Sequence, residues 1–216
     1  MSLFITGTDT GVGKTHTAAR LLHLLRASGV SCAGMKPICC GDRRDAELLL
    51  AAGSEGLTIE DVNPIWLKTP AAPLVGSLLE KVEIDIDHLL GTFHSLRNRV
   101  KHVIVEGTGG WMVPIHRNYF VSDLAASMKL PVLAVASNRL GCLNHSVLTV
   151  RSIVQHGLPC VGLVLNQAQK TGDIATLTNA DILEKILDVP VLGGLGENLT
   201  ELPADWRLML NSPISS

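Results

Sequence analysis

Residues Gly7 to Thr15 read Gly-Thr-Asp-Thr-Gly-Val-Gly-Lys-Thr and follow the apolar run Leu3-Phe4-Ile5. Glycines at 7, 11 and 13 let successive backbone N–H groups turn towards one anion. Lys14 adds a positive charge for the β- and γ-phosphates of a nucleotide, and the Thr15 hydroxyl can ligate Mg2+. A helix starting at Lys14 would aim its positive dipole end at the same point. Thr8 stands where the common phosphate-loop pattern has its first glycine.

Mg2+ needs a carboxylate or two besides phosphate oxygens. Glu106 ends the apolar run His102–Glu106, just before Gly107-Thr108-Gly109-Gly110. A carboxylate at the carboxyl end of a parallel strand faces the crevice where ligands bind. Asp45 is a second candidate, with Asp42 and Glu47 close by in sequence and each able to be a surface charge. Lys36 ends the run Ser31–Lys36 at the same edge, where a lysine can hold a second anion beside the nucleotide. The eight histidines show no HxH or HExxH spacing, so no zinc site is expected. The five cysteines form no CxxC pair and are expected to be reduced thiols of a cytoplasmic protein.

Short apolar runs alternate with longer amphipathic stretches. Leu3–Thr6, Ser31–Lys36, His102–Glu106, Pro131–Ala136, Cys160–Asn166 and Val189–Leu192 read as strands. Helices are expected over 14–28, 44–52, 86–100, 144–155 and 175–187. This alternation predicts an α/β fold with a mostly parallel sheet in three layers, helices on both faces, in one domain over 1–216. The proline-bearing stretch 53–73 reads as a loop or cover near the site rather than a domain boundary.

Hydrophobic residues make up 46% and charged residues 18%, which excludes a disordered chain. Eighteen basic against twenty acidic side chains, with no block of one sign, argue against nucleic acid or an anionic membrane as partner. No apolar run approaches the ~18 residues of a membrane helix. The phosphate loop begins at Gly7, so no secretion signal is expected ahead of it.

Together these segments resemble dethiobiotin synthetase, a branch of the phosphate-loop NTPases. The likeness rests on Gly7–Thr15, Met35-Lys36-Pro37, Val105-Glu-Gly-Thr-Gly-Gly-Trp111, Leu140-Gly-Cys-Leu-Asn-His145, Val164-Leu-Asn166 and Val189-Pro-Val-Leu-Gly193. It implies closure of the ureido ring of biotin's precursor from 7,8-diaminopelargonic acid, CO2 and MgATP, through a carbamate and a carbamic–phosphoric anhydride. It implies ATP at Asp9, Thr10, Gly11, Val12, Gly13, Lys14, Thr15, Glu106 and Gly107. Asn166 would read the adenine, with Leu192 and Gly193 bordering it. The diamine would lie against Thr10, Lys36, Cys40, Gly109, Gly141, Cys142, Leu143 and Asn144, in a homodimer with the substrate across the interface. Mg2+ would be held by Thr15, Asp45 and Glu106, and Lys14 and Lys36 would stabilise charge during phosphoryl transfer.

Cys40 and Thr108 depart from residues common in that family, serine or threonine and alanine respectively. Partitioning ATPases, which are related, carry an extra lysine where this chain has Asp9. Two other readings exist. A cobyrinic acid synthetase-like ligase usually belongs to a longer chain with a glutaminase part. A nucleotide-switch protein would turn over ATP without any small substrate.

Overall fold

A computed structural model describes residues 2–167 and 173–211. The valine-rich runs are strands of one sheet. Among the described residues six strands lie in the order β10-β9-β8-β1-β5-β2, every neighbouring pair parallel. They are β1 (Leu3–Gly7), β2 (Cys32–Met35), β5 (His102–Gly110), β8 (Val132–Ser137), β9 (Cys160–Asn166) and β10 (Val191–Gly193). All five residues of β1 are buried, as a strand covered on both faces requires.

Two apolar clusters sandwich the sheet. One packs helix α1 (Lys14–Ala27), α2 (Arg44–Ala52) and α9 (Ala204–Asn211) through Leu21, Leu24, Leu49 and Trp206. The other packs α5 (Ile86–Arg99), α6 (Val121–Met128), α7 (Cys142–Gln155) and α8 (Ile174–Ile186) through Phe93, Leu124, Ile153 and Leu183. The expected three-layer α/β architecture is therefore present. Gly34 in β2 matters here, because a Cβ on it would meet Leu49 Cβ at 2.7 Å and Leu22 Cδ1 at 2.9 Å. Its absence lets α2 settle close to the sheet, with Asp45 in the first turn of α2.

Several elements differ from the sequence reading. The stretch 53–73, expected as a loop or cover, has short elements of its own: α3 (Ile59–Val62) and β4 (Ile65–Leu67), and β4 pairs in parallel with β3 (Ile38–Cys40). Elements of three or four residues are shorter than either periodicity needs to register. Thr58 and Asp61 do form a capping box, the one local signal for α3. The helix α4 (Pro73–Glu80) and the hairpin of β6 (Pro114–His116) with β7 (Tyr119–Phe120) complete the cover over this edge. β5 continues past Glu106 to Gly110, which places Gly110 beside Gly7 across an irregularity in register. Among the described residues no helix is long and apolar enough to cross a membrane.

Candidate active site

Because the sheet is parallel, the segments leaving β1, β2, β5, β9 and β10 all emerge at one edge. The loop after β1 ends at Gly13, whose φ of 95° is left-handed and unfavourable for any residue with a Cβ. A Cβ there would also collide with the Asn166 side-chain amide. Gly13 caps α1 without any side-chain hydrogen bond, so the first N–H groups of the helix point into the loop.

The next two residues point into a cluster of charge. Lys14 is buried, and its ammonium donates to the Asp9 carbonyl at 3.3 Å. Burial, and next the neighbouring Lys36 charge, lower its pKa to about 8. The Thr15 hydroxyl donates to Glu106 Oε1 at 2.8 Å. Lys36 Nζ lies between two carboxylates, 2.6 Å from Glu106 Oε1 and 2.9 Å from Asp45 Oδ2. The Lys36 and Glu106 side chains are 5% and 1% exposed. Burial opposes the Lys36 charge, but the two carboxylates outweigh it and hold the pKa above the ordinary lysine value. Burial likewise acts to raise Asp45, and Lys36 overrides it to leave that carboxyl below its usual range.

These groups line a cavity of about 660 Å³, whose far wall is Pro70-Ala71-Ala72 ahead of α4. A second cavity of about 450 Å³ lies across the loop, between Val12, His16, Ser137, Asn166, Gln167 and residues 194–196. Gly11 and Gly13 touch both. A triphosphate laid over the loop would therefore have an anion-handling chamber at one end and a largely uncharged slot at the other.

The residues singled out in the sequence separate clearly. Thr10, Gly11, Gly13, Lys14, Thr15, Lys36, Cys40, Asp45, Glu106 and Gly109 all line the first cavity. Asp45 rather than Asp42 reaches Lys36; Asp42 lies at the rim, exposed, and accepts the Arg44 N–H. Val12 and Asn166 line the second cavity, and Asn166 Nδ2 donates to the Val12 carbonyl at 2.9 Å. Asp9 stays outside both cavities and faces Arg139 at 3.6 Å.

Gly107 and Leu192 also line neither cavity. Gly107, expected at the nucleotide, points to the opposite face of β5 from Glu106, because adjacent strand residues alternate. A Cβ on it would press on Phe4 and Val121 at 3.0 Å, so the glycine serves packing. Leu192, expected to border adenine, is buried in the core within β10. Gly193 sits just outside the second cavity, and the wall is formed by Gly194, Leu195 and Gly196.

Gly141, Cys142, Leu143 and Asn144 line neither cavity. The helix α7 starts two residues earlier than expected, at Cys142. Gly141 is its cap at φ 91°, so Asn144 is not a helix cap, and it stands exposed on the first turn. Sequence reasoning missed His16, Gln167 and residues 194–196. His16 falls two residues after Lys14 on the phosphate-loop helix, the only local cue to it.

The donor set suits a hard divalent cation. Thr15, Asp45 and Glu106 offer oxygen alone, and Glu106 Oε2 is buried with no hydrogen-bond partner. Two carboxylates and one hydroxyl are too few ligands by themselves, as expected of a metal that shares phosphate oxygens.

A family profile described as "AAA domain" matches residues 1–202. The protein named ATP-dependent dethiobiotin synthetase BioD from Akkermansia muciniphila is 42% identical over 194 residues, covering 90% of this chain and 91% of that one. Its namesake from Aromatoleum aromaticum is 41% identical, with 95% and 96% covered. Among solved structures, the MinC:MinD cell division complex of Aquifex aeolicus superposes with a TM-score of 0.58 at 18% identity, covering 88% of this chain and 78% of that one. The GDP complex of signal recognition particle receptor FtsY from Elizabethkingia anophelis gives 0.57 at 16% identity, where this chain covers 61% of the receptor's length. At such identities these two share the fold alone. The sequence relatives carry more weight, and with two of them above 40% identity over nearly the full length, the chain belongs to the dethiobiotin synthetase family.

Proposed function

We propose that the chain is an ATP-dependent cyclo-ligase that converts 7,8-diaminopelargonic acid, CO2 and ATP into dethiobiotin, ADP and phosphate. One observation carries the reading: a single cavity brings together the loop lysine Lys14, the buried Lys36 and the carboxylates of Asp45 and Glu106. One amine of the diamine adds to CO2 and loses a proton, giving a carbamate. A carbamate oxygen attacks the γ-phosphorus and ADP leaves. The second amine attacks the carbonyl carbon of the resulting carbamic–phosphoric anhydride, phosphate leaves, and the ring is closed. The substrate supplies every nucleophile, so the protein's task is positioning and charge stabilisation.

Lys36 Nζ, held protonated between its two carboxylates, would face the carbamate oxygens and offset their charge as the anhydride forms. Lys14 would leave the Asp9 carbonyl for the β- and γ-phosphates. Thr15, Asp45 and Glu106 would hold Mg2+, which when bound neutralises charge on the transferring phosphoryl group. Asn166 and residues 194–196 would take the base. Adding the diamine and bicarbonate separately and together tests this: ADP release should need both. Turnover indifferent to them would favour the nucleotide switch.

The remaining substrate residues, Gly141 to Asn144, fit a second copy of the chain. The start of α7, where Asn144 is exposed, carries the positive end of the helix dipole, which suits the distal carboxylate of the diamine. The working unit in this reading is a homodimer of one-domain chains in the cytoplasm. Mixing inactive Lys14→Ala and Asn144→Ala chains, with exchange verified, should restore about a quarter of the sites, since about half the dimers are mixed and each has one intact site. No recovery would mean that each site lies within one chain.

A further inference from the structure

The second cavity has a wall of irregular chain. Residues 194–199 follow β10 and belong to no helix or strand. Backbone carbonyls there have no ladder to pair with and must find partners elsewhere. Side chains provide them. His16 Nε2 donates to the Leu195 carbonyl at 2.9 Å. The Arg20 guanidinium donates to the carbonyls of Gly196 at 3.2 Å and Leu199 at 2.9 Å. Trp206, fully buried, donates to the Gly193 carbonyl at 3.2 Å from the other side.

His16 and Arg20 are four residues apart on α1 and so share one helix face. Lys14, Thr15 and His16 are consecutive, and each turns about 100° from the last. Lys14 serves the loop, Thr15 reaches Glu106, and His16 reaches the strap 194–199. One helix therefore fixes both the phosphate cradle and the wall of the slot beside it. Asn166 closes the frame, since it donates to the Val12 carbonyl and a Cβ on Gly194 would meet its Oδ1 at 2.5 Å.

We infer that His16 and Arg20 are positioning residues for the nucleotide base: they hold the strap 194–199 at the distance a planar base needs, without touching the phosphates. This rests on the reading of the second cavity as the base site. Among the described residues these two side chains hydrogen-bond to the strap alone, so their loss should be felt only by the base half of the ligand.

Calorimetric titration of the full chain with ADP and, separately, with inorganic pyrophosphate tests it. The wild type should bind ADP more tightly than pyrophosphate. His16→Ala and Arg20→Met should each weaken ADP about three- to tenfold, the worth of one or two net hydrogen bonds, and leave pyrophosphate unchanged. His16→Gln, which keeps an N–H donor, should recover most of the loss. His16 is exposed, so its truncation leaves the fold intact, and thermal melting of each variant verifies this. Equal weakening of both ligands, or no weakening of ADP, overturns the inference. Wild-type ADP binding no tighter than pyrophosphate overturns the base-site reading itself and takes the inference with it.

Discussion

On one side of the phosphate loop, two lysines and two carboxylates meet in one cavity. On the other, the walls include glycine backbone, two side-chain amides and an imidazole. The first chamber is specified by four charged side chains, and three of them, Lys14, Lys36 and Glu106, act strongly because they are buried. The second is specified by where a strap of backbone lies, and that is decided by side chains which need not touch the ligand. Single substitutions should therefore have large effects in the first chamber and small, ligand-selective effects in the second.

Lys14→Ala is the severest test of that contrast. An electrostatic contact to a transferring phosphoryl group is worth roughly 3–4 kcal/mol, or about 10²–10³ in rate. Single-turnover ADP release should fall by that factor. A variant retaining most of its kcat would remove Lys14 from the phosphates and undo the distinction between the chambers.

The contrast also explains what the sequence made legible. Glu106 and Lys36 could be found because each stands at the end of an apolar run, and a parallel sheet sends all such ends to one edge, while Lys14 is marked by the Gly-Lys-Thr of the phosphate loop. Asp45 could not be separated from Asp42 and Glu47 by spacing. What separates them is the close approach of α2 to β2 over Gly34, a tertiary contact. The strap was illegible for a different reason: its partner His16 is 179 residues away, and a backbone wall carries almost no sequence signature. Gly107 was within reach, since strand alternation already puts it on the face opposite Glu106.

Lys36→Gln sharpens the first chamber in a second way. Removing this ammonium leaves Glu106 buried without its directly paired counter-charge. Breaking a buried pair from one side costs on the order of 3 kcal/mol, which for a chain of this size lowers Tm by roughly 6–12 °C. Mg2+ with ADP should then stabilise the variant more than the wild type, because a cation replaces the missing charge. Ring closure should be lost while ADP affinity stays near normal. An unchanged Tm in the ligand-free variant would contradict the buried pair, and a collapse of ADP affinity would move Lys36 to the nucleotide.

Ligand binding should also depend on pH on the phosphate side of the comparison. Lys14 is held down at about 8 against an ordinary value of 10.5. The unfolded chain thus keeps a proton that the folded chain has released, so the ligand-free fold gains stability as pH rises from about 8 towards 10.5. Phosphates raise the pKa again on binding, and the complex takes up a proton that the free protein lacks above pH 8. ADP affinity should be flat below pH 8 and fall by up to about tenfold per unit above it. Calorimetry in buffers of different ionisation heat would report the proton uptake directly. Lys14→Arg, always charged, should abolish it. A slope that survives in that variant would assign the proton to another group.

Cys40 gives the smallest expected effect inside the charged chamber, and it marks where the chamber's sensitivity ends. It closes β3, lies half-buried, and lines the cavity beside Lys36. Burial pushes its thiol up to about 11, against the lowering pull of Lys36, so it is neutral at physiological pH. A neutral thiol is a weak donor and a weak acceptor, and it adds little to the electrostatics that govern phosphoryl transfer. Serine in its place keeps a small polar side chain and replaces sulfur with a better hydrogen-bonding oxygen. Cys40→Ser should therefore leave kcat/KM for the diamine within roughly twofold, or about 0.5 kcal/mol, since the exchange keeps the side chain uncharged and nearly unchanged in size. Steady-state rates at limiting diamine are the measurement. A tenfold loss would mean that the sulfur itself shapes the substrate pocket, and sensitivity in the first chamber would then extend beyond its four charged side chains.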